Sequence, residues 1–182
     1  MPDRVSPLAG VAVQGRFGAD KGAPGVELSV RHPVSIVSII ARDGKSQALK
    51  LTLDRMAGCT VQWAGSDQYY AVADGMGEAE LYSELKSRLA VLASVSDQSH
   101  GRVILRISGP KARKVLAKGT PVDLQADEFP LDKSATTQMA HVGVHVTRTG
   151  EDAFELSVFR GFSENFWEWL TEQSEEFGYQ VK

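Results

Sequence analysis

The pattern of apolar and polar residues becomes regular after Pro33 and predicts alternating strands and helices. A run rich in β-branched residues, 34–42, ends at the turn signal Asp43-Gly44, as a strand does. Leucines recur at helical spacing along 77–93, which predicts an amphipathic helix. Segment 45–56 also favours a short helix, although its leucines alternate as they would in a strand. Further strands are predicted at 59–65, 68–73 and 93–97.

The second half of the chain repeats this order of elements. It contains a predicted strand at 102–108, a helix at 110–118, a hairpin of 140–146 with 153–160, a helix at 163–177 and a strand at 179–181. Each half thus reads β-α-β-β-α-β, an order that places helices on one face of a sheet. The sequence therefore predicts an α+β fold: one domain over 34–182, built from two tandem split βαβ (ferredoxin-like) halves at 34–98 and 102–182.

The first 33 residues show neither a helical nor a strand period that persists. They hold four of the seven prolines and five glycines, so on their own they bury too little apolar surface to offset the entropy of ordering. The sequence predicts a flexible N-terminal arm over 1–33. Leu8, Val11, Val13 and Phe17 are apolar enough to pack on another surface, so a binding arm and a frayed terminus both remain open.

Composition and charge narrow the class of protein. The 182 residues are 42% hydrophobic and 24% charged, as in an ordinary globular protein. Because the net charge is −3, with 20 basic against 23 acidic residues, nucleic acid is not an expected partner. No apolar run approaches the roughly 20 residues of a membrane span. A single cysteine, Cys59, excludes an internal disulfide and favours a buried thiol in a reducing, cytoplasmic compartment.

The run LRISGPKARKVLAKG, 105–119, is the first candidate for chemistry because it predicts a strand, a glycine turn and a basic helix. A phosphate site needs several backbone N–H groups in a glycine-rich loop. This run has one glycine at the turn, Gly109, and the following Pro110 has no N–H to donate. The sequence therefore favours a structural joint, with proline starting the helix and Gly119 ending it.

Two other clusters have the right residue types in the wrong arrangement. His141 and His145 lie on a predicted strand, so their Cα atoms would be about 13 Å apart, too far for two ligands of one zinc ion. The run SDQSH, 96–100, has no nucleophile-elbow motif around it, and sequence neighbours in a turn face different ways. Neither cluster is a convincing catalytic site.

The C-terminal helix carries an unusual charge pattern. Ser163 is placed as its N-cap, and Phe162 with Trp167 has the spacing of a hydrophobic staple. A core stripe is formed by Phe166, Trp169, Leu170 and Phe177, which leaves Trp167 off its centre. Glutamates recur every four residues along another line, at 164, 168, 172 and 176, with no basic residue in the helix to answer them. A solvated face and a surface for a basic partner both remain open.

Several fragments, in their order and spacing, resemble the gamma subunits of heterotetrameric sarcosine oxidases over nearly the whole chain. These fragments are SPLAG, GRFGA, SIIARDGKSQAL, DQSHGRVILRISGPKARKVLAKG, AHVGVHV and FRGFSENFWEWL. The resemblance implies a domain like the folate-binding domain of the glycine-cleavage aminomethyltransferase. It also implies a complex that oxidises sarcosine to glycine, with hydrogen peroxide and 5,10-methylenetetrahydrofolate or formaldehyde as products.

The resemblance further implies a non-catalytic accessory role beside the alpha, beta and delta subunits. FAD, covalent FMN, NAD and tetrahydrofolate would belong to the larger subunits and zinc to the smallest, so no cofactor is expected on this chain. We expect its partner interface to include Phe17, Glu164, Trp167, Glu168 and Glu172.

Two other classes of function stay open at this stage. The chain could be a free-standing folate-binding or aminomethyltransferase-like protein, for which Asp97 and Asp67 are the carboxylates available to a pterin. It could also be a scaffold unrelated to sarcosine. Binding of tetrahydrofolate by the isolated chain would separate the first class from the second.

Overall fold

The computed structural model describes residues 5–19, 22–77 and 79–182, which form two compact units. The continuous unit comprises Pro33–Arg102, and the discontinuous unit combines the residues up to His32 with Val103–Lys182. The predicted arm and the predicted helix 77–93 each include positions outside the described residues. The structure thus has two units where the sequence predicted one domain with two halves.

The continuous unit has the predicted β-α-β-β-α-β order. Its elements are β3 (Val34–Ala41), α1 (Ser46–Leu53), β4 (Thr60–Gly65), β5 (Gln68–Asp74), α2 (Glu80–Arg88) and β6 (Ala93–Asp97). The strands form a four-stranded sheet in the order β4-β5-β3-β6, and every neighbouring pair is antiparallel. This arrangement is the one expected of a split βαβ unit.

Burial decides between the two interpretations of the leucines in α1. Leu49 and Leu53 are at most 3% exposed, whereas Leu51 is 54% exposed. Two buried residues four apart lie on one side of a helix, and a strand would have buried all three alike. The helix is therefore confirmed. Helix α2 is shorter than predicted because the chain closes in a turn at Leu89, whose carbonyl accepts the N–H groups of Leu92 and Ala93.

The discontinuous unit is a seven-stranded sheet in the order β1-β11-β2-β7-β10-β9-β8. Its strands are β1 (Gly15–Phe17), β2 (Val26–Arg31), β7 (Arg102–Ser108), β8 (Ser134–Met139), β9 (Val142–Gly150), β10 (Ala153–Phe159) and β11 (Tyr179–Val181). Its helices are α3 (Ala112–Ala117) and α4 (Ser163–Ser174), with short 3₁₀ helices at Arg160–Phe162 and Glu175–Phe177. One core lies between the helices and the sheet face that carries Leu28, Ile107 and Leu156.

Strand β2 corrects the prediction of a flexible arm. It lies inside the sheet, parallel to β11 on one side and antiparallel to β7 on the other. Val26 and Leu28 are fully buried, and β1 pairs with β11 at the edge of the same sheet. The prolines and glycines of this segment bound the strands instead of preventing them. What offsets the ordering entropy is burial against residues about 80 and about 150 positions away, which a local pattern does not reveal.

In the second half of the chain, the structure differs from the predicted elements in smaller ways. Strand β8 was not predicted, because its sequence SATTQM has only a weak apolar pattern. Strand β9 extends to Gly150, and α3 is shorter at both ends than the predicted helix. Strands β7 and β11 are found as predicted. No helix in the described part of the chain has the length and apolar character that crossing a membrane requires.

Candidate functional site

The turn between β7 and α3 is a structural joint and not an open phosphate loop. The N–H of Gly109 donates to the carbonyl of Asp152 at 3.0 Å, and the N–H of Lys111 donates to the carbonyl of Gly25 at 3.1 Å. These donors are therefore occupied by backbone. Gly109 has a φ of +110°, and a Cβ atom there would lie 2.7 Å from the oxygen of Gly25. Glycine is required because the turn packs directly on the chain that leads into β2.

The two histidines lie in different environments. His141 is exposed in the tight turn between β8 and β9, with a φ of +66°. His145 is 2% exposed within β9, where it pairs across the sheet with Thr136 and Ser157. Within residues 5–19, 22–77 and 79–182 there is no group of three or more His, Cys, Asp or Glu side chains that could hold a metal ion.

Within the segment SDQSH, 96–100, Asp97 and Ser99 form the hydrogen bonds of a turn in the continuous unit. Asp97 accepts hydrogen bonds from the hydroxyl of Ser99 at 2.6 Å and from its N–H at 2.9 Å. The Ser99 hydroxyl oxygen in turn accepts the N–H of Ile36 at 3.0 Å. Asp67 lies in the β4–β5 turn and is bonded through its carbonyl to Ala41, so along β3 it is about 13 Å from Asp97. The two carboxylates do not converge on one pocket.

The only cysteine, Cys59, is partly buried before β4. Burial raises the pKa of its thiol, and the nearby Glu84 adds to that shift. A raised pKa keeps the sulfur protonated at neutral pH, which suits packing and disfavours nucleophilic attack.

The candidate site is an open groove in the discontinuous unit, here called the α4 groove. It runs between the N-terminal segment and helix α4 and has a volume of about 530 Å³. Its lining residues are Val11, Val13, Phe17, Glu164, Asn165, Trp167, Glu168, Thr171, Tyr179 and Val181. Four of the five residues predicted for a partner interface thus lie in one groove, although they come from distant parts of the sequence.

One wall of the α4 groove is apolar. Val11, Val13 and Phe17 are 44%, 61% and 40% exposed, a high fraction for such side chains. The ring of Phe17 stacks on that of Tyr179, with centroids 5.3 Å apart and planes inclined by 25°. This contact holds β1 and β11 together and presents the outer face of Phe17 to the groove.

The other wall is acidic. Glu164 and Glu168 are exposed on α4, and Glu172 follows one turn later, just outside the lining residues. In the described part of the chain, none of these three carboxylates forms a side-chain hydrogen bond or an ion pair. The fourth glutamate of the line, Glu176, is bound by Lys118, the residue that follows α3. The acidic line is thus neutralised at one end only.

The sequence placed Trp167 and Ser163 incorrectly. Trp167 is only 3% exposed and belongs to the core together with Leu8, because the N-terminal segment packs on this part of α4. Ser163 does not act as an N-cap; it is fully buried, and its hydroxyl donates to the carbonyl of Arg160 at 2.7 Å. Phe162, 54% exposed, does not pack as a staple.

Tyr179 is expected to make the free energy of unfolding depend on pH in alkaline solution. Burial raises the pKa of its phenol above the ordinary 10.0, and the charge of Glu175 adds to the shift. Because the folded pKa is the higher one, the contribution is complete below about pH 10 and is lost as the pH rises through the folded pKa. The free energy of unfolding should therefore fall more steeply above about pH 10 in the wild type than in Tyr179→Phe. Urea unfolding across this range measures the difference, and equal slopes would contradict it.

A second cluster in the discontinuous unit was not anticipated. Glu155 of β10 is 4% exposed and accepts hydrogen bonds from Arg31 of β2 at 3.0 and 3.1 Å and from Arg106 of β7 at 2.8 Å. The alternation in VELSVR and AFELSVF places Arg31 and Glu155 on the sheet face opposite the apolar core. The alternation is visible in the sequence, but it places Arg31 opposite Glu155 only once β2 is known to be a strand of this sheet.

This chain is similar to known proteins both in sequence and in structure. Residues 55–181 match the family model described as GCVT N-terminal domain. The sarcosine oxidase subunit gamma of Corynebacterium sp. (strain P-1) is 34% identical over 136 residues, which cover 74% of this chain and 66% of that protein. The match thus spans slightly less than two thirds of the length of that relative.

Two solved structures share the fold. A chain of the heterotetrameric sarcosine oxidase from Corynebacterium sp. U-96 superposes with a TM-score of 0.80 and 26% identity, covering 96% of both chains. The glycine cleavage system aminomethyltransferase T from Bartonella henselae gives a TM-score of 0.67 and 17% identity over 93% of this chain and 57% of its own. The second likeness shows the fold alone.

Proposed function

Because the chain belongs to the GCVT N-terminal domain family, we propose that it is a non-catalytic accessory subunit of a heterotetrameric sarcosine oxidase, corresponding to the gamma subunit. The resemblance inferred from the sequence motifs is confirmed by the similarity to such subunits and by the solved complex. The observation that carries the proposal is the structural match over 96% of both chains.

The geometry of the chain supports this role. His141 and His145 lie in different environments, and Ser99 with Asp97 forms hydrogen bonds within a turn. At the Gly109 joint, the backbone N–H groups are already hydrogen-bonded to backbone carbonyls. By contrast, the α4 groove exposes apolar and acidic side chains together, which is a surface suited to another protein. The proposal therefore assigns this chain a role in assembly and no catalytic residue.

The complex would oxidise sarcosine to glycine and produce hydrogen peroxide, with 5,10-methylenetetrahydrofolate or formaldehyde as the other product. FAD, FMN, NAD and tetrahydrofolate would be bound by the larger subunits and zinc by the smallest. We expect the assembly in the cytoplasm, where the single thiol of this chain stays reduced.

The test is purification of the tagged chain from its native host at near-physiological salt. The expected result is a yellow complex with a flavin absorbance spectrum that consumes oxygen when sarcosine is added. A colourless protein recovered alone under the same gentle conditions would contradict the proposal.

The alternative is a free-standing folate-binding or aminomethyltransferase-like protein, favoured by the fold shared with aminomethyltransferase T. Titration of the purified chain with tetrahydrofolate separates the two. Micromolar binding by a chain that carries no flavoprotein partner would favour the alternative. No binding by the chain after its separation from the subunits of the yellow complex would support the accessory role.

A further inference from the structure

We propose that the α4 groove binds a cationic amphipathic segment of a larger subunit, whose Lys or Arg side chains pair with Glu164, Glu168 and Glu172. This inference rests on the proposed function and names the partner chemistry at one surface. The segment would place apolar side chains against Val11, Val13 and Phe17 while its basic side chains reach the acidic wall.

The apolar wall supplies the first reason for an occupant. Val11, Val13 and Phe17 are exposed in one groove, whereas Leu8 of the same segment is buried in the core. Contiguous exposed apolar surface rimmed by polar residues is typical of protein interfaces. The groove volume of about 530 Å³ accommodates several side chains of a bound segment.

The acidic wall determines the charge of that occupant. Glu164, Glu168 and Glu172 are four residues apart, so successive carboxylates lie about 6 Å apart along α4 and repel each other. Helix α4 has no basic residue in its last turn to offset them. A partner that presents Lys or Arg at the same interval removes this repulsion, whereas an acidic or purely apolar segment would increase the cost or leave it unchanged.

The aromatic residues of the groove favour a cation as well. Phe17 is 40% exposed in the groove, where its ring stacks on that of Tyr179. A guanidinium or ammonium group over an aromatic face gains a further attraction, which is stronger where water is excluded. The carboxylates and the exposed ring of Phe17 thus select the same chemistry.

The test is a competition for assembly in the native host. Wild-type chain and the variant E168K/E172K are co-expressed with different tags, and the ratio of the two in the isolated yellow complex is compared with their ratio in the extract. The variant should be depleted about 100-fold, because two attractive pairs become repulsive. The variant E168Q/E172Q, which removes charge without reversing it, should be depleted about 10-fold.

A matched control uses Asp127 and Glu128, which are exposed in a loop of the same unit. D127K/E128K makes the same change in net charge away from the α4 groove and should enter the complex as well as the wild type. Folding does not confound the comparison, because lysines at 168 and 172 relieve repulsion on α4 and suit its C-terminal end. Equal depletion of E168K/E172K and D127K/E128K would overturn the proposal.

A crosslinking measurement identifies the occupant directly. A photoreactive benzoylphenylalanine placed at Glu164, within the assembled complex, should label a peptide of a larger subunit that contains at least two Lys or Arg residues. Labelling of an acidic or neutral peptide of a larger subunit, or of a second copy of this chain, would overturn the proposal. Failure of the yellow complex to form in the wild type would instead contradict the proposed function, so the two failures are distinguishable.

Discussion

Replacing Glu155 with leucine is expected to lower the free energy of unfolding by about 3–5 kcal/mol. The side chain of Glu155 is 6% exposed and that of Arg31 10%, so the substitution leaves the guanidinium of Arg31 buried without the carboxylate that binds it. The loss of the carboxylate costs less at Arg106, because its side chain is 47% exposed and its charge can be solvated by water. Urea denaturation followed by circular dichroism measures the change.

The double variant Arg31→Met with Glu155→Leu separates two explanations of that loss. If the cost comes from the charge left behind, replacing both partners by apolar side chains of similar volume should restore most of the stability. If the ion pair itself provides net stability, the double variant should remain as unstable as Glu155→Leu. We expect restoration, because desolvating two charges offsets most of their attraction.

Replacing Leu8 with alanine is expected to lower the free energy of unfolding by about 2–5 kcal/mol. Leu8 is fully buried in the same core as Trp167, and its carbonyl accepts the N–H groups of Val11 and Ala12 at 3.0 and 2.8 Å. Truncation removes buried methyl groups and leaves a cavity in the core. Thermal or urea unfolding of the purified variant measures the loss.

Val13→Ala is the control for this experiment. Val13 belongs to the same segment but is 61% exposed, so its truncation should change the stability by no more than about 0.5 kcal/mol. An equally small effect of Leu8→Ala would mean that the segment does not pack on α4 in solution. The apolar wall of the α4 groove would then not exist as described.

The elements that the sequence predicted well are those whose partners are close in the chain. The continuous unit has the predicted order, and β6 has the predicted bounds, because its strands and helices pack within about 70 residues. Leu81 and Leu85 of α2, and Leu89 directly after it, are buried as their spacing indicated. Here the local pattern and the tertiary packing agree.

Strand β2 shows where this reasoning fails. VELSVR alternates as a strand should, yet it is six residues long and stands among prolines and glycines. Its stability comes from pairing Leu28 with Ile107 and with Val181, both remote in sequence. A short pattern that is stable only through such long-range pairs cannot be distinguished from coil by its own composition.

The candidate site was predicted in part. The line of glutamates on α4 and the apolar character of the N-terminal residues could both be recognised in the sequence. In the structure, Phe17, Glu164, Trp167 and Glu168 line one groove. Trp167 was assigned to the wrong environment because helical periodicity describes one buried stripe. Helix α4 is instead also covered on a second side by the segment that contains Leu8. Only the fold of that segment brings the two halves of the groove together.

The insertion of β2 between β11 and β7 imposes an order on biosynthesis. Strand β2 emerges from the ribosome before the continuous unit, whose residues are contiguous and can fold as soon as they are exposed. Its two neighbours are translated later, β7 first and β11 near Lys182. Residues 26–31 therefore cannot form their native pairs on one side until β7 has been translated, or on the other side until β11 has been translated. The seven-stranded sheet can therefore be completed only after nearly the whole of the chain shown here has been translated, whereas the continuous unit can fold earlier.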